Sequence, residues 1–309
     1  MQRSLLAFVL TLLALVPRPA RAQNTPPTEG SGVGAVRSQE PASLPPVRII
    51  LVGDSTVAAR SGWGPGFAAD LAPQVACINM AKGGRSSGSY RAEGSWDNVL
   101  DALKHNADFH ATYVLIQFGH NDEPGKPGRS TDLATEFPAN MKRYVTDVLS
   151  NGANPVLITP LTRRWYKDGH VRNDLAPWAA ATKKVAAETG VPILDLNADS
   201  VAAIEKTGPV EANTLAMAPP PPQVAEQAAS GNSVPAPKTE SPSPAATTTN
   251  STAVPPNSVV ERKGEAAPKF DYTHLGPKGS AFFGRMVADE LAKAVPDLRP
   301  YIKPGEPKL

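Results

Sequence analysis

The chain has 309 residues, a formal net charge of +2 and a single cysteine, Cys77. Its length suits one or two domains, and without long acidic or basic runs there is no electrostatic reason to expect a nucleic-acid partner. One cysteine excludes a disulfide within the chain, and because no motif surrounds Cys77 we interpret it as a buried structural thiol.

Residues 1–22 have the layout of a secretory signal peptide. The basic residue Arg3 precedes an apolar stretch at residues 5–16, and the sequence Ala-Arg-Ala at residues 20–22 offers a small-x-small cleavage site. The apolar stretch is shorter than the about 20 residues that cross a bilayer, although an uncleaved anchor remains an alternative. We therefore expect a secreted or periplasmic protein that has no membrane contact after cleavage. Residues 23–46 are rich in Pro, Gly and Ser and are predicted to be a flexible spacer.

From residue 47 onward, short apolar segments alternate with segments of helical periodicity. The predicted strands lie at residues 47–52, 75–80, 113–118, 155–159 and 193–196. The predicted helices lie at residues 67–72, 98–104, 137–149, 175–189 and 279–295. Strands separated by helices imply right-handed crossovers and a parallel sheet that is covered on both faces. The predicted fold class is α/β, a three-layer α/β/α domain with a five-stranded parallel sheet.

A change of composition interrupts this pattern at about residues 218–268. The segment is rich in Pro, Ala, Ser and Thr, and such a composition buries too little apolar surface to offset the entropy of ordering. The alternative is a domain boundary, but the about 40 residues that follow are too few to fold alone. We therefore predict one domain at residues 47–309, interrupted by a disordered insert, with the last helix completing it.

The first strand ends on Gly53, Asp54 and Ser55. In open parallel sheets, ligands bind beyond the carboxyl ends of the strands. A serine at this position is exposed beside the amides of a helix N-terminus, which can bind an oxyanion. The alternative is that Asp54 or Ser55 simply caps a helix. The nucleophile elbow G-x-S-x-G is absent, since Val57 stands in place of its second glycine.

Two further motifs follow the second and third strands. The stretch "NMAKGGRSSGSY" contains Gly83 and Gly84, where the backbone can approach a ligand closely. The stretch "VLIQFGHNDE" contains Asn121, which offers a neutral side-chain donor at the same edge of the sheet. Taken singly, the first is explained by a tight turn and the second by an Asx turn.

The fourth motif, "DYTHLGPKGSAFFG", places Asp271 three residues before His274. At this spacing a carboxylate can orient an imidazole and stabilise its protonated form, although surface residues capped by Thr273 are the ordinary alternative. A metal site would draw on Asp54, His120, Asp122, Asp271 and His274. No HExxH or comparable spacing supports it, so neither a metal nor a cofactor is predicted.

Together, the four motifs resemble those of the SGNH, or GDSL-type, hydrolases, and most closely those of their rhamnogalacturonan acetylesterase branch. The matching stretches are "GDST", "KGGRSSGSY", "FGHND" and "DYTHLGPKGS". The resemblance covers residues 47–199 and 270–294, and it implies the flavodoxin-like SGNH hydrolase fold. The chain departs from the family in the insert, which lies between the last strand and the Asp271–His274 turn.

The resemblance also implies a role for each motif residue. Ser55 is the expected nucleophile, His274 the base that takes its proton, and Asp271 the group that holds His274. The backbone N–H groups of Ser55 and Gly84 and the side-chain amide of Asn121 are expected to form the oxyanion hole. These roles agree with the chemistry of ester cleavage, which needs an activated serine and donors aimed at developing negative charge.

The resemblance implies a serine esterase that removes acetyl groups from a plant cell-wall polysaccharide, with acetylated rhamnogalacturonan, a pectin, as the first choice. The signal-peptide pattern adds that this esterase is exported, and we expect it to be a monomer. Other SGNH activities stay open: a xylan acetylesterase, a lysophospholipase-like lipase or an acetyltransferase. A non-catalytic carbohydrate-binding protein is the alternative from another class. Candidates for sugar contacts at the rim are Arg85, Trp63, Arg163 and Trp165, for each of which core packing or surface charge is the ordinary role. His120 is interpreted as structural.

Overall fold

The structure, a computed structural model, describes residues 44–234 and 269–307. The predicted signal peptide, most of the predicted spacer and residues 235–268 of the predicted insert lie outside the described residues. None of the described helices is both long and apolar enough to span a bilayer.

The described elements follow one another in the predicted βα alternation. The strands are β1 (Val47–Gly53), β2 (Val75–Asn79), β3 (Ala111–Gln117), β4 (Asn154–Ile158), β5 (Tyr166–Lys167), β6 (His170–Val171) and β7 (Ile193–Leu194). The α-helices are α1 (Gly64–Ala69), α2 (Ser89–Ala92), α3 (Ser95–Leu103), α4 (Glu136–Ser150), α5 (Ala176–Thr189), α6 (Leu196–Thr207), α7 (Pro209–Asn213), α8 (Pro222–Ala229) and α9 (Pro277–Ala294). Short 3-10 helices lie at Asn106–Asp108 and Pro296–Tyr301.

A parallel sheet with the strand order β2-β1-β3-β4-β7 forms the centre of the domain. β1 pairs with β2 from Val47 opposite Val75, and with β3 from Val47 opposite Ala111. Every residue of β1 is buried, as a central strand covered on both faces requires. The predicted α/β/α class and the five-stranded parallel sheet are therefore confirmed. The short β5–β6 hairpin, which is antiparallel, was not predicted.

Side-chain alternation along β1 separates two hydrophobic cores. Ile49 and Leu51 point into one cluster, which also contains residues of α1, α6 and α9. Ile50 and Val52 point into the other, which contains residues of α3, α4 and α5. This alternation is the period of two that a strand imposes on its side chains. The two helical layers thus share the same central strand.

The last helix packs on the first with no space between the backbones. A Cβ atom added at Gly284 would lie 2.2 Å from the Phe67 nitrogen, and one added at Gly66 would lie 2.0 Å from the Ser280 carbonyl oxygen. The Gly66 N–H also donates to Ser280 Oγ at 3.1 Å. Glycine at both positions allows this contact. The C-terminal helix therefore packs directly against the helix that follows β1.

Three helices differ from the sequence-based expectations. α1 begins earlier than predicted because Pro65 occupies its first turn, where proline has no donor to lose. α6 starts immediately after β7, so the fifth strand is shorter than predicted, and this helix was missed. α8 lies within the predicted disordered insert: the Ser233 N–H donates to the Tyr166 carbonyl oxygen at 3.1 Å, so this part of the insert is joined to the domain.

Candidate active site

The topology of the sheet brings three loops together at its carboxyl edge. β1 lies between β2 and β3, so the residues that leave these three neighbouring strands meet at one place. Ser55 leaves β1, Gly84 follows β2 and Asn121 follows β3. His274 approaches from the turn that precedes α9. Together they line an open cleft of ≈ 370 Å³.

Ser55, His274 and Asp271 form a hydrogen-bonded relay. His274 Nε2 lies 2.9 Å from Ser55 Oγ, and His274 Nδ1 lies 2.8 Å from Asp271 Oδ2. The other carboxylate oxygen, Asp271 Oδ1, accepts the backbone N–H groups of Thr273 and His274, both at 2.7 Å. The structure therefore places the three residues in the order that moves a proton from a serine to an oriented imidazole.

The Asp271 carboxylate is held in its charged form. Burial acts to raise its pKa, but the hydrogen bond and charge of His274 and the two backbone donors outweigh burial and lower the pKa to about 2. A carboxylate that stays ionised at neutral pH fixes the His274 tautomer with its proton on Nδ1. This leaves Nε2 free to accept the Ser55 proton.

The expected oxyanion donors surround Ser55. Among the described residues, the backbone N–H groups of Ser55 and Gly84 donate to no protein acceptor, so both are free for a ligand oxygen. Gly84 has φ +78, the left-handed conformation that glycine adopts without strain, and a Cβ at Gly83 would lie 3.5 Å from Ser55 Cβ. The side chain of Asn121 donates one N–H to the Arg85 carbonyl oxygen at 3.0 Å, which orients the amide within the cleft.

A chain of buried hydrogen bonds holds the turn that contains Ser55. Asp54 Oδ1 accepts the Thr56 N–H at 2.8 Å and the Thr56 hydroxyl at 2.7 Å. The Thr56 hydroxyl accepts from Gln117 Nε2 at 2.6 Å, and Gln117 Oε1 accepts the Trp63 indole N–H at 2.9 Å. Burial acts to raise the pKa of Asp54, but the nearby His120 and the Thr56 donors hold it below its usual value. Asp54 thus anchors the turn that presents Ser55.

Two buried polar residues from the predicted motifs hold the loops of the cleft. Asp122 accepts the Ser87 hydroxyl at 2.6 Å and the Thr131 hydroxyl at 2.8 Å, and its burial raises its pKa to about 6. His120 is buried in the lining of the cleft, with Nδ1 3.6 Å from Asp54 Oδ2. In the part of the chain that the structure describes, no group of three or more His, Cys, Asp or Glu side chains is arranged to hold a metal ion.

The four candidates for sugar contacts lie in different places relative to the cleft. Trp63 is fully buried in the core, so the prediction of a rim contact is wrong for this residue: its indole N–H is drawn inward by Gln117. Arg85 forms an ion pair with Glu93 at 2.9 Å, and its side chain does not line the catalytic cleft.

The other two candidates lie on the loop that follows β4. Arg163 lines the cleft but is held by two carboxylates, those of Glu123 and Asp174, at 2.6 Å each. Trp165 lies outside the cleft, where the Arg172 guanidinium is 5.1 Å from the centre of its ring.

Cys77, on β2, is half-buried, and burial raises the pKa of its thiol to about 12. Cys77 is therefore less buried than the sequence-based interpretation expected.

Arg164 is a buried residue that the sequence analysis missed. It is fully buried, and its guanidinium donates to the carbonyl oxygens of Asp271 and His274, both at 2.9 Å. Its backbone N–H donates to the Tyr272 carbonyl oxygen at 2.9 Å. Burial lowers the pKa of Arg164 to about 10, against the charge of Asp271, which raises it. One side chain therefore fixes the turn that carries the acid and the base.

Comparison with known proteins gives a family match. The sequence pattern of the GDSL-like lipase/acylhydrolase family matches residues 51–229. The probable rhamnogalacturonan acetylesterase YesY of Bacillus subtilis (strain 168) is 34% identical over 176 residues, covering 55% of this chain and 79% of that protein. The rhamnogalacturonan acetylesterase RhgT of the same organism is 33% identical over 178 residues, covering 55% and 73%.

A solved structure supports the fold. Protein YxiM of Bacillus subtilis superimposes with a TM-score of 0.56 at 21% identity, and the match covers 80% of this chain and 56% of that one. At this identity the structural similarity supports the fold alone. The family match ends before the Asp271–His274 turn, so the geometry described above is what joins that turn to Ser55.

Proposed function

Since the chain belongs to the GDSL-like lipase/acylhydrolase family, and within the SGNH hydrolases to the rhamnogalacturonan acetylesterase-like branch, we propose that it is an exported serine esterase that deacetylates rhamnogalacturonan. The family makes it a carboxylic ester hydrolase. The choice of rhamnogalacturonan as substrate is a proposal that the names of the two Bacillus subtilis relatives support. Export is a proposal that the signal-peptide pattern of residues 1–22 supports.

The observation that carries the mechanism is the continuous relay from Ser55 to His274 and Asp271. A serine hydroxyl alone is a weak nucleophile at neutral pH. His274 Nε2, at 2.9 Å from Ser55 Oγ, is within reach of the hydroxyl proton as the oxygen attacks the acetyl carbonyl carbon. The imidazolium that forms is stabilised by the ionised Asp271 on its other side.

The attack places a negative charge on the former carbonyl oxygen of the ester. Donors that are oriented before the reaction stabilise this charge without reorganisation, and the loss of one such donor costs about 10²–10³-fold in kcat. The free N–H groups of Ser55 and Gly84 are two such donors. The second N–H of the Asn121 side-chain amide is the third.

The acyl-enzyme then forms and is hydrolysed. The tetrahedral intermediate collapses as His274 gives its proton to the departing sugar oxygen, which leaves an acetyl group on Ser55 and a free sugar hydroxyl. Water enters, His274 takes one of its protons, and the second tetrahedral intermediate releases acetate and restores the serine. The cleft is open to solvent at His274, whose side chain is 34% exposed, so water can reach the acyl carbon.

The test is the release of acetate from acetylated rhamnogalacturonan by the protein and by its Ser55→Ala variant. We expect release by the protein and none above background by the variant. Ser230→Ala, an exposed serine at the end of α8, is the matched control and should retain full activity. No release from this polymer, combined with Ser55-dependent release from acetylated xylan or a lipid ester, would contradict the proposed substrate. Transfer of acetyl to a sugar instead of water would contradict the proposed reaction.

A further inference from the structure

The cationic side chains of the cleft differ in how their charges are compensated. Lys126 lies 2.7 Å from Glu123, and Arg163 is paired with two carboxylates, as described above. Arg129, which also lines the cleft, has no carboxylate partner among the described residues. One positive charge beside Ser55 is therefore left without a negative partner.

The hydrogen bonds of Arg129 are long. Its Nη1 donates to Asn121 Oδ1 at 3.4 Å and to the Gly84 carbonyl oxygen at 3.5 Å, whereas N–H···O bonds in proteins usually span 2.7–3.2 Å. The guanidinium is a planar fork that matches a carboxylate with two parallel bonds. A half-buried guanidinium with such weak contacts is suited to bind an anionic group of a ligand.

Arg129 also borders a second hollow, of ≈ 440 Å³, so the catalytic cleft and this hollow meet at its side chain. The lining of the hollow includes the polar side chains of Ser89, Ser130, Thr131 and Asn140, which also hydrogen-bond within the protein. It also contains Glu136, whose carboxylate accepts the Asp132 N–H at 2.7 Å. Arg129 thus stands at the junction where a polymer chain would leave the catalytic cleft.

The described lining of the cleft and the hollow offers charged and polar side chains to a sugar. Of the residues that the structure describes, no Phe, Tyr or Trp lines the cleft or the adjoining hollow. Trp63 is buried and Trp165 lies elsewhere. The side chains present are therefore suited to bind a sugar by charge and hydrogen bonds.

We propose that Arg129 is a specificity-determining residue that binds the carboxylate of a uronic acid unit at or beside the acetylated sugar, with the polymer continuing into the adjoining hollow. The proposal rests on the proposed function for its acetylated substrate, and it adds the group on that substrate that this chain reads. Because Arg129 contacts both Gly84 and Asn121, a carboxylate held there also brings the acetyl carbonyl close to the oxyanion donors.

The test compares two substrates on two proteins. Acetylated rhamnogalacturonan oligosaccharides are used as they are and after their uronate carboxyl groups have been reduced to alcohols. Both are given to the wild type and to Arg129→Gln, and kcat/KM for acetate release is measured at low and at high salt. Arg299→Gln, which removes an exposed arginine in the C-terminal 3-10 helix, is the matched control and should behave as the wild type.

We expect carboxyl reduction to lower the wild-type kcat/KM by about 10- to 100-fold, the range of a charge-assisted hydrogen bond. Arg129→Gln should lower it by a similar factor on the unreduced substrate. Carboxyl reduction of the substrate should then lower the kcat/KM of Arg129→Gln little further, because both changes remove the same interaction. High salt should narrow the difference between the proteins. Equal losses for Arg129→Gln on both substrates would overturn the proposal and leave Arg129 as a support of the oxyanion hole.

A second measurement separates this proposal from the proposed substrate. An unacetylated galacturonate trisaccharide is tested as an inhibitor of 4-nitrophenyl acetate hydrolysis. Weaker inhibition of Arg129→Gln than of the wild type supports the proposal, even if the wild type releases no acetate from rhamnogalacturonan. Equal inhibition of the two proteins overturns it, whatever the polymer.

Discussion

The two halves of the catalytic apparatus are held in place by different means. Ser55, Gly84 and Asn121 leave three strands that are hydrogen-bonded neighbours in the sheet. The Asp271–His274 turn follows no strand. It precedes α9, and its position depends on the packing of that helix and on the hydrogen bonds from Arg164.

This difference indicates which substitutions separate the two halves. The nucleophile and the oxyanion donors are fixed by main-chain pairing and by the buried chain from Asp54 to Trp63. The acid and the base are fixed by tertiary contacts, because Leu275 donates its N–H to the Ser61 carbonyl oxygen at 2.8 Å and Gly284 packs directly on α1. Substitutions far from Ser55 should therefore displace His274 while the oxyanion hole stays intact.

The largest effect is expected from Asp271→Asn. An asparagine cannot stabilise the His274 imidazolium or enforce the required tautomer, and a loss of this kind costs about 10⁴-fold in kcat. Steady-state kinetics with 4-nitrophenyl acetate measure the loss, and circular dichroism checks the fold. Asp297→Asn, at an exposed aspartate, should be neutral. A loss of less than tenfold would mean that Asp271 does not orient His274.

The second largest loss of activity is expected from Arg164→Met. The substitution leaves the carbonyl oxygens of Asp271 and His274 without their buried donor, and breaking a buried polar contact of this kind is destabilising. We expect kcat to fall by about 10- to 100-fold while KM changes little, since a misplaced base affects chemistry more than binding. Arg164→Lys should recover part of the loss. Arg172→Met, on the nearby hairpin, is the control; a larger effect there than at Arg164 would contradict this account.

Gly284→Ala tests the packing that carries the turn. The new Cβ would lie 2.2 Å from the Phe67 nitrogen, so α9 must move away from α1. Overpacking of this kind costs about 1–3 kcal/mol of the free energy of unfolding, which urea denaturation would measure. Ala68→Val, at an exposed position on α1, is the control. A Gly284→Ala variant as stable as the wild type would show that α9 has another way to dock.

The smallest effect is expected from Glu290→Gln, which replaces a buried acid on α9 and changes how stability depends on pH. Burial, together with the charges of Asp199 and Asp195, raises the pKa of Glu290 to about 8, against the charge of Lys293. Between the unfolded pKa, near 4.5, and the folded pKa, the native state binds more protons than the unfolded state, so stability should fall as pH rises through this window. Glu290→Gln should remove this dependence and raise the free energy of unfolding at pH 8.

The control for this prediction is the same variant at pH 5, where Glu290 is protonated in the folded protein. There, the difference in the free energy of unfolding should be much smaller. An equal difference at both pH values would mean that ionisation of Glu290 is not the cause. Urea denaturation at the two pH values measures both.

The sequence predicted the half of the site that depends on strands better than the half that depends on tertiary packing. Ser55, Gly84 and Asn121 each follow an apolar segment within a few residues, and the ends of parallel strands meet at one edge. No local pattern indicates that Arg164 is buried. It adjoins Arg163, and two consecutive arginines are typical of a charged surface. Its burial follows from the passage of the Asp271–His274 turn over it, which no local pattern encodes.

Two other residues show the same limit. Trp63 stands beside glycines in a turn-like stretch, where an exposed ring is a reasonable expectation. It is buried in the hydrophobic core, where Gln117, which is distant in sequence, accepts the indole N–H. Arg129 carried no motif at all. Arg129 differs from Lys126 and Arg163 in its lack of a carboxylate partner among the described residues, and tertiary contacts decide those partners.

The most direct test of the account is the detection of an acetyl group on Ser55. The wild type is mixed with an acetylated substrate, quenched with acid during turnover and digested, and its peptides are analysed by mass spectrometry. We predict the mass of one acetyl group on the peptide that contains Ser55 in the wild type, and none in His274→Ala. Acetate release that persists in Ser55→Ala, or acetylation of another residue during turnover, would contradict the assignment of Ser55 as the nucleophile.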